Sequence, residues 1–229
     1  AKAINSRDML VTENGRAFVR HNLLDFGSTL GSGGVGPAEY WAGYEYLVEP
    51  GLAAKQIPSF GLSPPKWRTT EFYEARSIGR LPRDNTRFNP DLWKPRVANQ
   101  AFLHARQDDR FWAAQKLVAL TDDLLRAAVR AGDFRDPTSE DFLVKALSER
   151  RDAIARTYLT TINPISDPAV DGAGTLTFRN AAVDAGFAQP PEGYRAVWSR
   201  FDNLSGSTQR LGETMGKTPR LEAPSGFSP

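Results

Sequence analysis

The sequence contains no cysteine. Disulfides, thiolate catalysis and cysteine-based zinc sites are therefore excluded. Histidine occurs only twice, at His21 and His104, so a structural zinc site built on histidine has almost nothing to draw on. No apolar run approaches the roughly 20 residues of a membrane span. No signal peptide is written in these residues, and the first residue is Ala1 rather than Met. An excess of one charge is also missing. Lys and Arg total 29 against 27 Asp and Glu, a net charge of +2, and the basic residues sit beside acids, as in Glu149-Arg150-Arg151-Asp152. Near balance with interleaved signs argues against a nucleic-acid partner.

What the 229 residues do have is material for a packed interior. The hydrophobic fraction is 40% and five tryptophans are present, enough for one large domain or for a domain with an appendage. The tryptophans read as core anchors rather than a platform for stacking sugars.

Residues 8–11 and 17–24 read as two strands of a hairpin around Asn14-Gly15, the strongest short hairpin signal. Asp25-Phe26-Gly27 closes it. The Gly- and Ser-rich stretch 28–37 reads as a flexible, activation-type loop. It lacks the Lys-Ser/Thr pair of a Walker phosphate cradle. Residues 38–100 are broken by Pro58, Pro64, Pro65, Pro82, Pro90 and Pro95, which argues against long helices and leaves a long, ordered, loop-rich layer, rich in aromatics, that covers a core with few short elements.

Two helices are expected next. One runs from Asp108-Asp109 to about Ala131, ends at Gly132, and carries Ala113, Leu117, Leu120, Leu124 and Ala128 on its apolar face. The other starts at Asp136-Pro137-Thr138-Ser139 and stops before Pro164, with Leu143, Leu147, Ile154 and Tyr158 as its stripe. A short connection makes them an antiparallel hairpin. Beyond Asn163-Pro164, residues 175–183 and 194–201 read as strands joined through Gly186 and Pro190-Pro191. Asn203-Leu204-Ser205 reads as a turn, and the tail from Gly206 as extended or poorly ordered.

The chemistry-bearing stretch is the first. Kinase-like phosphoryl transfer clamps a divalent metal between the nucleotide phosphates and two protein oxygens, an Asn amide on the catalytic loop and the Asp of an Asp-Phe-Gly run, separated by a short hairpin. Asn5, a hairpin signal and Asp25-Phe26-Gly27 occur here in that order. Ala1-Lys2-Ala3-Ile4-Asn5 resembles the part of such a loop that follows its catalytic Asp, which places Lys2 at the transferred phosphate. That Asp would precede Ala1, so the chain is expected to be the C-terminal part of a longer protein. The bland readings stand beside these: a strand-end Asp making a turn bond for Asp25, a turn Asn for Asn5, and a solvated terminal Lys for Lys2. His21 reads as a residue packed beside its strand, or else as a ligand or general base, and His104 as a surface or helix-entry residue.

The text from Val19 to Ser32 resembles a family of uncharacterised bacterial proteins, found mainly in soil bacteria and myxobacteria, with a distant protein-kinase-like fold. The similarity continues at 87–95, 108–114, 176–182 and 198–203, and so covers most of the chain. Members carry an upstream lobe with a Lys-containing strand, and many begin with an export signal. The resemblance implies an α+β fold: a mostly helical kinase-like C-terminal lobe with an N-terminal β-hairpin, a loop-rich middle, an antiparallel helical hairpin and a small C-terminal β-hairpin. Its expected divisions are 1–163 for the lobe, 164–205 for a β appendage and 206–229 for the tail. It implies ATP and Mg²⁺ as cofactors, Asn5 and Asp25 as metal ligands, a nucleotide partner, and an exported or periplasmic location. No Ala-Pro-Glu segment follows Gly27 at the distance found in ordinary protein kinases, which puts a protein substrate in doubt. Three functions stay open: an atypical phosphotransferase, inactive as these residues alone; a non-catalytic pseudokinase-type binding or scaffold module; and an envelope- or carbohydrate-associated interaction protein whose C-terminal strands do the binding, which an exposed aromatic strip on 175–202 would support.

Overall fold

The computed structural model describes residues 6–24, 29–33, 35–60, 62 and 64–227. The architecture is α+β, with short helices, one long helix and small antiparallel sheets. The chain divides into two compact units. The first comprises residues 1–106 and 119–154, and the second 107–118 and 155–229.

In the first unit, β1 (Ser6–Glu13) and β2 (Arg16–Leu23) form the expected hairpin in unbroken register, from Ser6 opposite Leu23 to Glu13 opposite Arg16. Its turn residues Asn14 and Gly15 both take positive φ, 52° and 74°, the twist a two-residue hairpin turn requires. Leu10 and Val19 face each other across the strands and both are exposed.

The loop-rich middle is built from short elements, as expected. Pro50 opens α1 (Pro50–Gln56), where its missing N–H costs nothing. Glu49, just ahead of it, accepts the Tyr46 N–H at 3.3 Å and pairs with Lys94, and this pairing holds its carboxyl below the usual range. A hairpin the sequence did not announce, β3 (Phe72–Ala75) with β4 (Ile78–Pro82), follows. The layer therefore supplies core rather than only covering it. Ile78 and Leu81 of β4 are buried among residues of the later helices, and Tyr73 stacks on Phe142 at 4.1 Å. Asn99 caps the single turn α2 (Gln100–Leu103).

The expected helix over 109–131 is two helices, α3 (Gln107–Val118) and α4 (Asp122–Arg130). The break has a local cause. The Thr121 hydroxyl accepts the Leu124 N–H at 3.2 Å and so starts a new helix, with Asp122 and Asp123 in its first turn. Arg151 fixes the break from outside, donating to the Leu120 carbonyl at 2.7 Å and to Asp122 at 2.8 Å. The new phase moves the buried positions. Phe111 and Ala114 are buried on α3 and Val129 on α4, whereas Ala113, Leu120, Leu124 and Ala128 of the expected stripe are exposed.

The long helix α5 (Pro137–Leu159) starts where its capping signal stands. Asp136 accepts the Thr138 N–H at 3.0 Å and the Ser139 hydroxyl at 2.6 Å, bonds that lower its pKa, the Ser139 hydroxyl most. Its Leu143, Val144 and Ala146 pack with Val129, Ile78 and Leu81. The pairs Arg126–Asp141 and Arg151–Asp122 run α4 antiparallel to α5, so the helical hairpin forms with α4 as its first arm.

In the second unit, Phe111 and Ala114 of α3 pack with Ala155 and Leu159 of α5 and with Ala182. The β structure begins after Pro164, but its pairing differs from the expected hairpin. Between β5 (Ile165–Val170) and β9 (Arg220–Glu222) lies β6 (Thr175–Asn180). Residues 181–183, expected in the strand, belong to α6 (Ala181–Asp184), because the Asn180 side chain caps the Val183 N–H. β7 (Tyr194–Phe201) pairs instead with β8 (Thr208–Gly216). The tail expected to be extended or poorly ordered thus supplies β8 and β9. Trp198, buried, donates to the Thr214 hydroxyl at 2.8 Å and meets the Phe227 ring edge-on. Asp202 accepts the Leu204 and Ser205 N–H groups, making the turn expected at 203–205.

Candidate functional site

Lys2, Asn5 and Asp25 lie outside the described residues. What the structure places is the hairpin between them in sequence, from Ser6 to Leu23. His21 sits in β2 across from Asp8. His104 follows α2 on the surface, its Nε2 at 2.9 Å from the Gln100 amide oxygen, in agreement with a surface position. Among the described residues no cluster of three His, Asp or Glu could hold a metal ion.

The segment following Asp25-Phe26-Gly27 is anchored rather than loose where it is described. The Gly31 carbonyl accepts two N–H groups, from Arg80 at 2.8 Å and from Ala38 at 2.6 Å. Two glycines permit the approach. A Cβ on Gly79 would lie 1.9 Å from the Gly31 carbonyl carbon, and one on Gly31 would lie 2.3 Å from the Arg80 carbonyl oxygen. Gly31 also holds φ at +83°, which L side chains rarely adopt. The flexible activation-type loop expected from composition is therefore tied at Gly31 to β4.

Arg80, held this way, forms one wall of an open cleft of about 560 Å³ in the first unit. Tyr40, Trp67 and Phe72 give it three aromatic rings, and Arg68, Glu74 and Thr70 supply the other polar groups. The Arg80 guanidinium pairs with Glu74 and lies 5.8 Å from the Tyr40 ring centre and 5.9 Å from that of Phe72. Arg68 lies 5.2 Å from the Trp67 ring centre and has no carboxylate partner among the described residues. Trp67 is buried, its indole N–H bonded to Glu45, so this tryptophan is both a core anchor and a cleft wall. Neither Arg68 nor Arg80 stands out in the sequence. The local signal is a mixed run of aromatic, basic and acidic residues from Trp67 to Arg80, which becomes a site only when β3 and β4 pair.

No family model, curated protein or solved structure matches this chain. Among the described residues, no helix is long and apolar enough to cross a membrane.

Proposed function

We propose that the chain carries the metal-binding segment of an atypical kinase-like phosphotransferase that uses a magnesium nucleotide. The observation that supports this reading is the β1–β2 hairpin. Its two strands pair from Ser6–Leu23 to the Asn14-Gly15 turn, and Asn5 and Asp25 flank its open end in sequence. A short hairpin between an Asn and the Asp of an Asp-Phe-Gly run is how kinase-like sites return two metal-binding oxygens to one edge. In this reading Asn5 and Asp25 hold Mg²⁺ and Lys2 contacts the transferred phosphate. The anchoring of Gly31 on β4 fits a segment that must be held after the metal-binding Asp.

An exposed aromatic strip on 175–202 would support the envelope-associated reading. Phe178 and Trp198 are buried there and Phe201 is exposed, so the strip does not form among the described residues.

The test is a nucleotide titration of the protein, with and without Mg²⁺, for the wild type and for Asp25→Asn. A hard cation is held through ligand charge as well as geometry, so the substitution is expected to remove the Mg²⁺-dependent part of binding. Equal affinities in all four cases would remove Asp25 from any metal role.

A further inference from the structure

The cleft beside β4 combines features that select a ligand independently of any phosphotransfer chemistry. Two guanidinium groups, Arg68 and Arg80, face a single carboxylate, Glu74, and that carboxylate is engaged by Arg80. Arg68 therefore leaves one positive charge without a carboxylate partner among the described residues. An exposed arginine over an aromatic ring is common at protein surfaces. Here it stands at a cleft that already holds two other rings. The Arg80 guanidinium is held by Glu74 and lies near the Tyr40 and Phe72 rings, so it stands as a fixed wall of the cleft beside Arg68. Tyr40, 40% exposed, lines the cleft with the Trp67 ring tilted against it at 5.2 Å.

We infer that this cleft binds a small ring-bearing anion, a carboxylate or phosphate monoester attached to a flat ring. The ring stacks on the Tyr40 side of the cleft and the anionic group meets Arg68, whose planar fork matches either oxyanion. The cleft is open, so the ligand is covered on one side and affinity for a minimal ligand falls in the millimolar range. Binding weakens as salt rises, because Arg68 is exposed.

The experiment titrates the 229-residue chain by calorimetry with benzoate, phenyl phosphate, inorganic phosphate and benzyl alcohol, using wild type, Arg68→Gln and Tyr40→Ala. Arg68→Gln removes an exposed charge whose described contact is the Trp67 ring, and circular dichroism checks that each variant folds. Benzoate or phenyl phosphate, or both, should bind at least about tenfold tighter than ring-free phosphate and than the neutral alcohol, the difference made by one charge-assisted contact. Which of the two binds tells carboxylate from phosphate. Arg68→Gln should weaken the ring anion about tenfold and leave benzyl alcohol unchanged, while Tyr40→Ala should weaken both. The inference is overturned if benzyl alcohol binds as well as the ring anions, if inorganic phosphate does, if Arg68→Gln changes nothing, or if no ring anion binds at about 50 mM. None of these outcomes depends on Mg²⁺, nucleotide or Asp25, so this site and the metal-binding segment stand or fall separately.

Discussion

Asn85→Ala is expected to be one of the most damaging single changes in the first unit, although Asn85 is polar and lies in a loop. Asn85 is only 2% exposed and joins two elements. Its amide nitrogen donates to the Pro82 carbonyl at the end of β4, at 2.7 Å, and its amide oxygen accepts from Arg150 Nε on α5, also at 2.7 Å. The Arg150 guanidinium lies 5.0 Å from the Phe88 ring centre and has no ion pair among the described residues. Burial lowers its pKa, and the neighbouring Tyr44 works in the opposite direction. A half-buried cation whose described hydrogen-bond acceptor is a neutral amide depends heavily on that amide. Truncation removes a bond to a charged group, worth about 1.5–3 kcal/mol, and a neutral bond worth about 0.5–1.5 kcal/mol. A loss of about 2–4 kcal/mol follows, read as a lower urea midpoint at unchanged slope, with far-UV circular dichroism and tryptophan fluorescence as separate probes because two units need not melt together. The same substitution in an Arg150→Met background should cost only about 1 kcal/mol, since the charged partner is already gone. A loss below about 0.5 kcal/mol in the wild-type background, or an identical loss in both, would refute the account of Asn85 as the acceptor that sustains Arg150.

Leu143→Ala is expected to cost about 2–5 kcal/mol, because Leu143 is 1% exposed in the core of the first unit, whereas Leu120→Ala should stay within about 1 kcal/mol; urea melts of the two variants side by side decide, and a reversed order would mean that the α3–α4 break is misplaced. Gly79→Ala has no room for its Cβ against the Gly31 backbone, so it should release residues 29–38 from β4 and expose them to limited proteolysis; a wild-type cleavage pattern would show that the contact does not hold that segment.

Local signals in the sequence carried a long way where chemistry and geometry lie within a few residues of each other. Asn14-Gly15 placed the turn of the first hairpin, since few residue pairs tolerate two successive positive φ angles. Asp136-Pro137-Thr138-Ser139 placed the start of α5 for the same kind of reason, because a side chain reaching its own neighbours' N–H groups is a local event. Thr121-Asp122-Asp123 is an equally local capping signal, and it outweighs the apolar stripe that runs through it at helical spacing. The cap starts a new helix and resets the phase.

The amino-acid sequence by itself thus determined the α+β class, the first hairpin and its turn, the cap of α5, the change to β structure after Pro164 and the exclusion of thiol chemistry. Only the tertiary structure decided which strands pair. Residues 175–180 join β5 and β9 while 194–201 join β8, and nothing local favours that pairing over a simple hairpin. Strand partners are chosen by which faces can be buried together, as Trp198 is by Thr214 and Phe227, and such burial depends on residues far along the chain. The cleft was hidden for the same reason. Tyr40, Trp67, Arg68 and Arg80 are spread over loop, short helix and strand, and they become neighbours only because β3 pairs with β4 and a glycine contact draws Gly31 against Gly79.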